Sequence, residues 1–541
     1  MKRRFLIPII SLSLLLLPLL SLLSCTQAFE EEGMLEPVAE SGEYFLEWPA
    51  YSPTIHYDFN KESGQLPLPT KNLPLAGNRY YKVYPAADDT ETESWWSFFV
   101  GRNANPLVKD NEVAAKNMLA RLNEDFSYIT DVMGWPRDLA PQKGYRSAVF
   151  LYGSGLPTDN ASNTDLGGWQ SAVTLGGTSW PIILASYYPV YCFDPACNYT
   201  DAESQCSAMV HEGIHAIFAS MPGCRKASWF HEGANCWLQA TLTYERQYGK
   251  DYIANDFGWL SMGSIMAPFQ PIECYSGWLT DGTFGGPGAQ GVNGSAPTGN
   301  VRKVIGGSQY SEVFPTFLGE IVDYMAVPWV WMNATGYVLE GIAAQIGEEQ
   351  MHRMIQEYRA RLALCDFGKY TQAVKHMYNT YMGTIIESES WSVYSKPWRC
   401  TPYAPTEEDE EGWLVPDQAT TPGWTGANII PIRVESSPLT VSFKPNGKLS
   451  TADNMSCQLC FRTEDGKTVY GKPFSEGSYR MDFDKYKPAN NVVFAVVCNL
   501  DYTYTGNVNI RRNHYDYRLK LSKNATPANV YGNWFNWDVK Q

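Results

Sequence analysis

Two histidines four residues apart, with a glutamate directly after the first, constrain this chain more than any other feature: His211-Glu212-Gly213-Ile214-His215. On a helix of about 3.6 residues per turn, that spacing puts both imidazoles on one face, where they can grip one cation. Glu212 then stands beside the ion without being a ligand. The flanking residues predict such a helix. Thr200-Asp201-Ala202-Glu203 fits a capping box, and the run to Ser220 stops at Met221-Pro222-Gly223. The whole chain has only 7 histidines, and three of them fall between His211 and His231.

A catalytic zinc site needs a third protein ligand and one open position for water. Trp229-Phe230-His231-Glu232-Gly233-Ala234-Asn235 offers two candidates, His231 and Glu232. A helix beginning at Ser228 and ending near Gly249 would pack antiparallel to the first and carry Glu232 to the metal from its opening turn. The metzincin pattern would need a glycine and a histidine at successive three-residue steps after His215, but Phe218 and Met221 stand there. A carboxylate from a following helix resembles the gluzincin arrangement, and that resemblance favours Glu232 over His231. Two neutral imidazoles and one carboxylate would leave Zn2+ net positive, so that it acidifies bound water and polarises a carbonyl. Glu212 would take the water proton and return it to the leaving amine as general base and acid. Asn235, about one turn after Glu232, is either a supporting partner of the site or an ordinary polar helix residue.

At these residues the chain resembles the gluzincin metallopeptidases, over about Ala202 to Tyr248 by motif. More loosely, Ser94 to about Thr440 resembles a group of secreted bacterial proteins with a gluzincin core and a trailing β-domain. The resemblance implies an antiparallel edge strand above the cleft, expected at Tyr145 to Tyr152 or Trp180 to Cys192, and peptide-bond hydrolysis. The 16 residues between His215 and Glu232 are fewer than in the thermolysin-like branch and suit enhancin-like, mucin-directed peptidases as well. A tyrosine or histidine from elsewhere would stabilise the oxyanion, and Tyr310 is the candidate.

The amino terminus predicts export. Lys2, Arg3 and Arg4 precede an apolar run from Phe5 to Leu23, and Leu22-Leu23-Ser24-Cys25 resembles a bacterial lipobox. Residues 1–24 would be the leader and Cys25 the lipidated first residue, on an outer-membrane lipoprotein facing the periplasm or the cell surface. Removing those three bases leaves 39 basic against 57 acidic residues, a net charge of −18. Such a surface repels phosphate backbones, so nucleic acid is no partner and membrane contact runs through the acyl chains at Cys25. Cys192, Cys197, Cys206, Cys224 and Cys236 crowd the metal motif, where one or two disulfides are expected. Cys457-x-x-Cys460 lacks a second pair at zinc-finger spacing and is expected to be structural.

The fold expected is α+β: a tether at 25–45, a zincin-like metallopeptidase core at 46–400, a linker at 401–428 and a β-sandwich at 429–541. Helical periodicity marks Asn111 to Val132, Phe314 to Met325, Tyr337 to Ile346, Glu348 to Leu364 and Lys369 to Tyr381. A Gly-rich stretch at 281–300 is expected to be a lid or surface loop. Short apolar runs beyond residue 428, separated by turn signals such as Asn446-Gly447 and Asp465-Gly466, predict the sandwich. Two functions follow from these residues. One is a zinc peptidase acting on extracellular protein or glycoprotein. The other is a glycan- or protein-binding surface lipoprotein whose metal is structural or vestigial.

Overall fold

The computed structural model describes residues 66–86, 88–89, 92–159, 167–246, 262–273, 312–334, 336–386, 398–418, 420–504 and 515–535. The leader, Cys25, the tether, the stretch 281–300 and Tyr310 lie outside them. The described chain is mixed α and β with several sheets, and no described helix is long and apolar enough to cross a membrane.

The amino-terminal sheet has five strands, β1 (Lys82–Tyr84), β2 (Trp96–Val100), β3 (Ser147–Leu151), β4 (Gly168–Leu175) and β5 (Thr178–Ala185), in the order β1-β2-β3-β5-β4. The inner strands β2, β3 and β5 are parallel, while both edges, β1 and β4, run antiparallel to their neighbours. Strict alternation sorts the inner side chains. Phe98, Val100, Val149, Leu151, Ile183 and Ala185 join the helical core, whereas Phe99, Ala148, Phe150, Ile182 and Leu184 fill a smaller cluster behind the sheet. Helix α1 (Glu112–Asp131) makes the crossover from β2 to β3, and Asn111 caps it by accepting from Ala114 N at 3.0 Å.

The edge strand β4 is where structure and sequence expectation differ most. Residues 145–152 contain the inner strand β3, and the run from Trp180 to Cys192 splits into β5 and a short helix, α2 (Tyr187–Tyr191). The edge belongs to Gly168–Leu175, joined to β5 by the two-residue turn Gly176-Gly177, with φ values of +58° and +81°. Positive φ at both turn positions suits glycine and matches the twist of a tight hairpin. Pro189 sits in the first turn of α2, where its missing N–H costs nothing, so the chain leaves the sheet there.

Helices α3 (Ala202–Ser220) and α4 (Ser228–Glu245) pack on the helical face of this sheet. They are followed by α5 (Ala326–Asn333), α6 (Val338–Ile346), α7 (Glu348–Leu364) and α8 (Thr371–Tyr381). Most of these bounds match the periodicity. The stretch 314–325 departs from it, forming a short α-turn and then a π-helix at Leu318–Val322.

Two antiparallel five-stranded sheets close the chain. In chain order their strands are β6 (Thr406–Glu408), β7 (Leu414–Pro416), β8 (Ala427–Val434), β9 (Leu439–Asn446), β10 (Met455–Arg462), β11 (Thr468–Tyr470), β12 (Gly477–Met481), β13 (Val492–Asn499), β14 (Asp516–Leu521) and β15 (Ala525–Pro527). One sheet has the order β11-β10-β13-β8-β15 and the other β12-β9-β14-β7-β6. Their facing side chains, among them Ile432, Val441, Leu459, Val497 and Leu519, share one core. Strands β6 and β7 fall within 401–428, so the stretch expected as a linker supplies one edge of this sandwich. Cys457 points into the sandwich core and Cys460 into the helical core. Three residues apart on a strand, they face opposite sides, which suits their expected structural role.

Glu273 ties the polypeptide between α4 and α5 to this framework. Its carboxylate is buried at 2% exposure and accepts from Val338 N at 2.7 Å, at the start of α6. Burial raises its pKa from 4.5 to about 7. The folded value exceeds the unfolded one, so the stabilisation is complete below pH 4.5 and is lost as pH rises through about 7. The shift corresponds to about 3 kcal/mol. Urea unfolding from pH 4.5 to 8 should therefore show Glu273→Gln less pH-dependent than wild type and more stable than it at pH 8.

Candidate metal centre

Helices α3 and α4 are joined by a short turn pinned from outside. Gly223 N donates to Trp331 O at 2.7 Å and Cys224 N to Ala334 O at 2.6 Å, both at the end of α5. The turn reverses the chain, so the helices lie antiparallel: Asn235 meets His211, and Gln239 meets both His211 and Ser207. Phe218 stacks on Trp331 with ring centroids 4.1 Å apart, which holds the far end of α3 against α5.

This arrangement brings His211, His215 and Glu232 together, with one ligand atom of each lying within 4.8 Å of the others. Both imidazole Nε2 atoms stand 3.4 Å from Glu232 Oε2. In a tetrahedral site with ligand bonds of about 2.0–2.1 Å, donor atoms are separated by about 3.4 Å. The donor set and the two carboxylate–imidazole spacings thus suit a four-coordinate divalent ion with one position left for water. No other group of three such side chains converges in this way among the described residues.

The electrostatics follow from burial and the paired rings. Burial alone would raise the Glu232 carboxyl, but the two imidazoles outweigh it and hold the pKa at about 2. Burial opposes protonation of His211, and the Glu232 and Glu212 carboxylates more than offset it, so its pKa is raised. Burial raises Glu212, with the neighbouring imidazoles pulling the other way.

Glu212 is set apart from the three candidate ligands by its bond to the edge strand. Its Oε2 accepts from Gln170 N, on β4, at 2.6 Å. Gly213 occupies the opposite side of α3, where an added Cβ would collide with the Phe126 ring and lie 3.2 Å from Trp96. The motif's first variable position is therefore set by close helix packing.

His231, the rival ligand, lies outside the cluster. Its ring packs edge-on to Trp331 at 4.5 Å, and burial lowers its pKa to about 4. Asn235 is fully buried and donates to the backbone carbonyl of His211 at 2.8 Å, so it fixes the helix rather than a ligand ring. The ring of His211 is held instead by Gln239, whose Oε1 lies 3.2 Å from Nδ1 while its Nε2 donates to Ser207 O at 3.1 Å. Sequence reading missed Gln239. Its signal was present, because Glu232, Asn235 and Gln239 follow a 3, 4 spacing along one face of α4.

Two other expectations change. The capping box of α3 does not form, because the helix starts at Ala202 with Asp201 as its N-cap, one residue past Thr200, and the Asp201 carboxylate accepts from Tyr188 Oη at 2.7 Å and Gln205 Nε2 at 3.0 Å instead of capping. Among the cysteines near the motif, the Cys192 and Cys197 sulfurs lie 3.7 Å apart, in contact but unbonded.

A ligand imidazole loses affinity when its outer nitrogen loses its partner, typically by about 10–100-fold. Gln239→Leu should weaken zinc binding by that order in a chelator competition, while His215→Ala or Glu232→Ala should remove stoichiometric binding. Comparison with family models, with curated proteins and with solved structures found no match for this chain, so the reading of this centre rests on its own chemistry.

Proposed function

We propose that this chain is an exported zinc peptidase of the gluzincin type, hydrolysing peptide bonds of extracellular protein or glycoprotein with metal-activated water. The observation that carries the proposal is the convergence of two imidazole nitrogens, each 3.4 Å from the Glu232 carboxylate, with a second carboxylate, Glu212, beside them and outside the set. A purely structural metal site has no use for that extra base. Export with lipidation at Cys25, on the periplasmic or outer face of an outer membrane, is part of the same proposal and rests on the leader-like amino terminus.

A zinc ion at this position would acidify its water and polarise the scissile carbonyl. The chain's own groups account for the rest. His211 and His215 bind through Nε2, and Gln239 keeps the Nδ1 side of His211 engaged. The Glu212 carboxylate, oriented by Gln170 N, takes the water proton and passes it to the leaving nitrogen. Strand β4 ends the sheet order and borders the site, so its outer edge offers backbone groups along which an extended peptide can pair. That antiparallel edge, beside a helix carrying both histidines, also supports a zincin-like core. Tyr310 remains the proposed oxyanion donor.

Glu212→Gln separates binding from chemistry, because the amide is nearly the same size and cannot take a proton. The variant should retain one zinc per chain and lose peptide cleavage by at least about 100-fold, within the range typical of a general base. Zinc-loaded wild-type protein that cleaves nothing in a broad peptide library would overturn the peptidase reading in favour of a binding lipoprotein.

A further inference from the structure

We infer that a cleft between helix α7 and the sandwich binds one sugar ring of a glycan. The cleft has a volume of about 460 Å3, within the size range of small-ligand sites, and lies where two structural layers meet. His352, from the first turn of α7, forms one wall, and Asp501 and Tyr502, just after β13, form another. Trp424, ahead of β8, and Tyr515, ahead of β14, complete the lining, and Glu348 and Asp453 stand exposed at its rim.

The chemistry of these groups selects the ligand. A small anion is disfavoured by three carboxylates, Glu348, Asp453 and Asp501. A divalent metal is disfavoured too, because those carboxylates do not converge as a ligand group. An ammonium ligand would suit the carboxylates but brings no acceptor. The cleft carries groups that can use one: the Thr451 and Thr503 hydroxyls and the His352 ring are all part of its lining. Each hydroxyl of a sugar both donates and accepts, so one ring can serve carboxylates and N–H groups together. Asp501 already accepts from Asn454 at 3.4 Å, which fixes one acceptor in place. The rings supply the apolar part. Tyr502, half-buried, packs against His352 with centroids 6.0 Å apart, so one aromatic surface is held in place for the C–H face of a pyranose.

This site would let the protein hold a glycoprotein by its sugar, which extends the proposed substrate class without depending on the metal chemistry. The test uses the full mature chain loaded with zinc. Methyl glycosides of glucose, galactose, mannose and N-acetylglucosamine are titrated while tryptophan fluorescence is followed, with spermidine and inorganic phosphate as charged controls. At least one glycoside should bind saturably. Tyr502→Ala and Asp453→Asn should each weaken that binding by at least tenfold with unchanged circular dichroism, while Glu212→Gln should leave it intact. Absence of saturation by every glycoside, binding that survives both cleft substitutions, or spermidine binding tighter than any glycoside would overturn the inference. Since Glu212→Gln reads cleavage separately, failure here and failure of the peptidase reading remain distinguishable.

Discussion

The carboxylate of Glu232 wedged against two imidazoles from the preceding helix is the interaction around which the amino-terminal part is organised. Both contacts are 3.4 Å, and they require α3 and α4 to run antiparallel at close range. Buried polar groups are costly unless partnered, so everything around the trio acts to hold them in register. Asn235 and Gln239 bind one helix to the other, and the bonds from Gly223 and Cys224 to α5 fix the turn between them. The aromatic stack of Phe218 on Trp331 then holds the far end of α3 against α5.

The sandwich is a second support rather than an appended module. Strand β13 alternates its side chains between two cores: Val492, Phe494, Val496 and Cys498 face the helices, and Val493, Ala495 and Val497 face the partner sheet. Polar groups tie the layers together as well. Arg462, on β10, donates to Leu364 O at 2.7 Å and Cys365 O at 3.1 Å, satisfying carbonyls at the end of α7. Arg361 and Asp366 pair at 3.0 Å with both side chains fully buried, and Tyr470 donates to the same carboxylate oxygen at 2.7 Å. The cleft beside α7 is a product of this junction, since its walls come from both layers.

Much of the helical framework was legible because burial on one face leaves a 3.6-residue imprint. Glu348–Leu364 and Val338–Ile346 match that imprint closely. Strand β4 was not legible in the same way. Its pattern, Gly-Trp-Gln-Ser-Ala-Val-Thr-Leu, is half exposed, and an edge strand needs few apolar residues. The Gly176-Gly177 turn was the usable signal for the hairpin. Strands β6 and β7 escaped notice because three residues each, one set carrying Glu407 and Glu408, leave no period to detect. The capping box failed for a different reason. The helix starts one residue later than the Thr200-Glu203 spacing requires, and the Asp201 carboxylate that stands at the N-cap is taken by Tyr188 on one oxygen and Gln205 on the other.

By itself the sequence determined the metal-ligand face, because His211 and His215 on one helix can point only the same way. It also determined the two-faced burial of β13, through an unbroken apolar run. Which residue of the second helix meets the two imidazoles was decided by tertiary structure. His231 and Glu232 are neighbours about 100° apart around α4, so the choice depended on how that helix is rotated against α3. Packing of His231 against Trp331 sets the rotation, and with it Glu232 turns toward the imidazoles. The same holds for Gln239 and for the Gln170 N–H that orients Glu212. Their roles arise from approach between distant segments, which no local pattern of residues encodes.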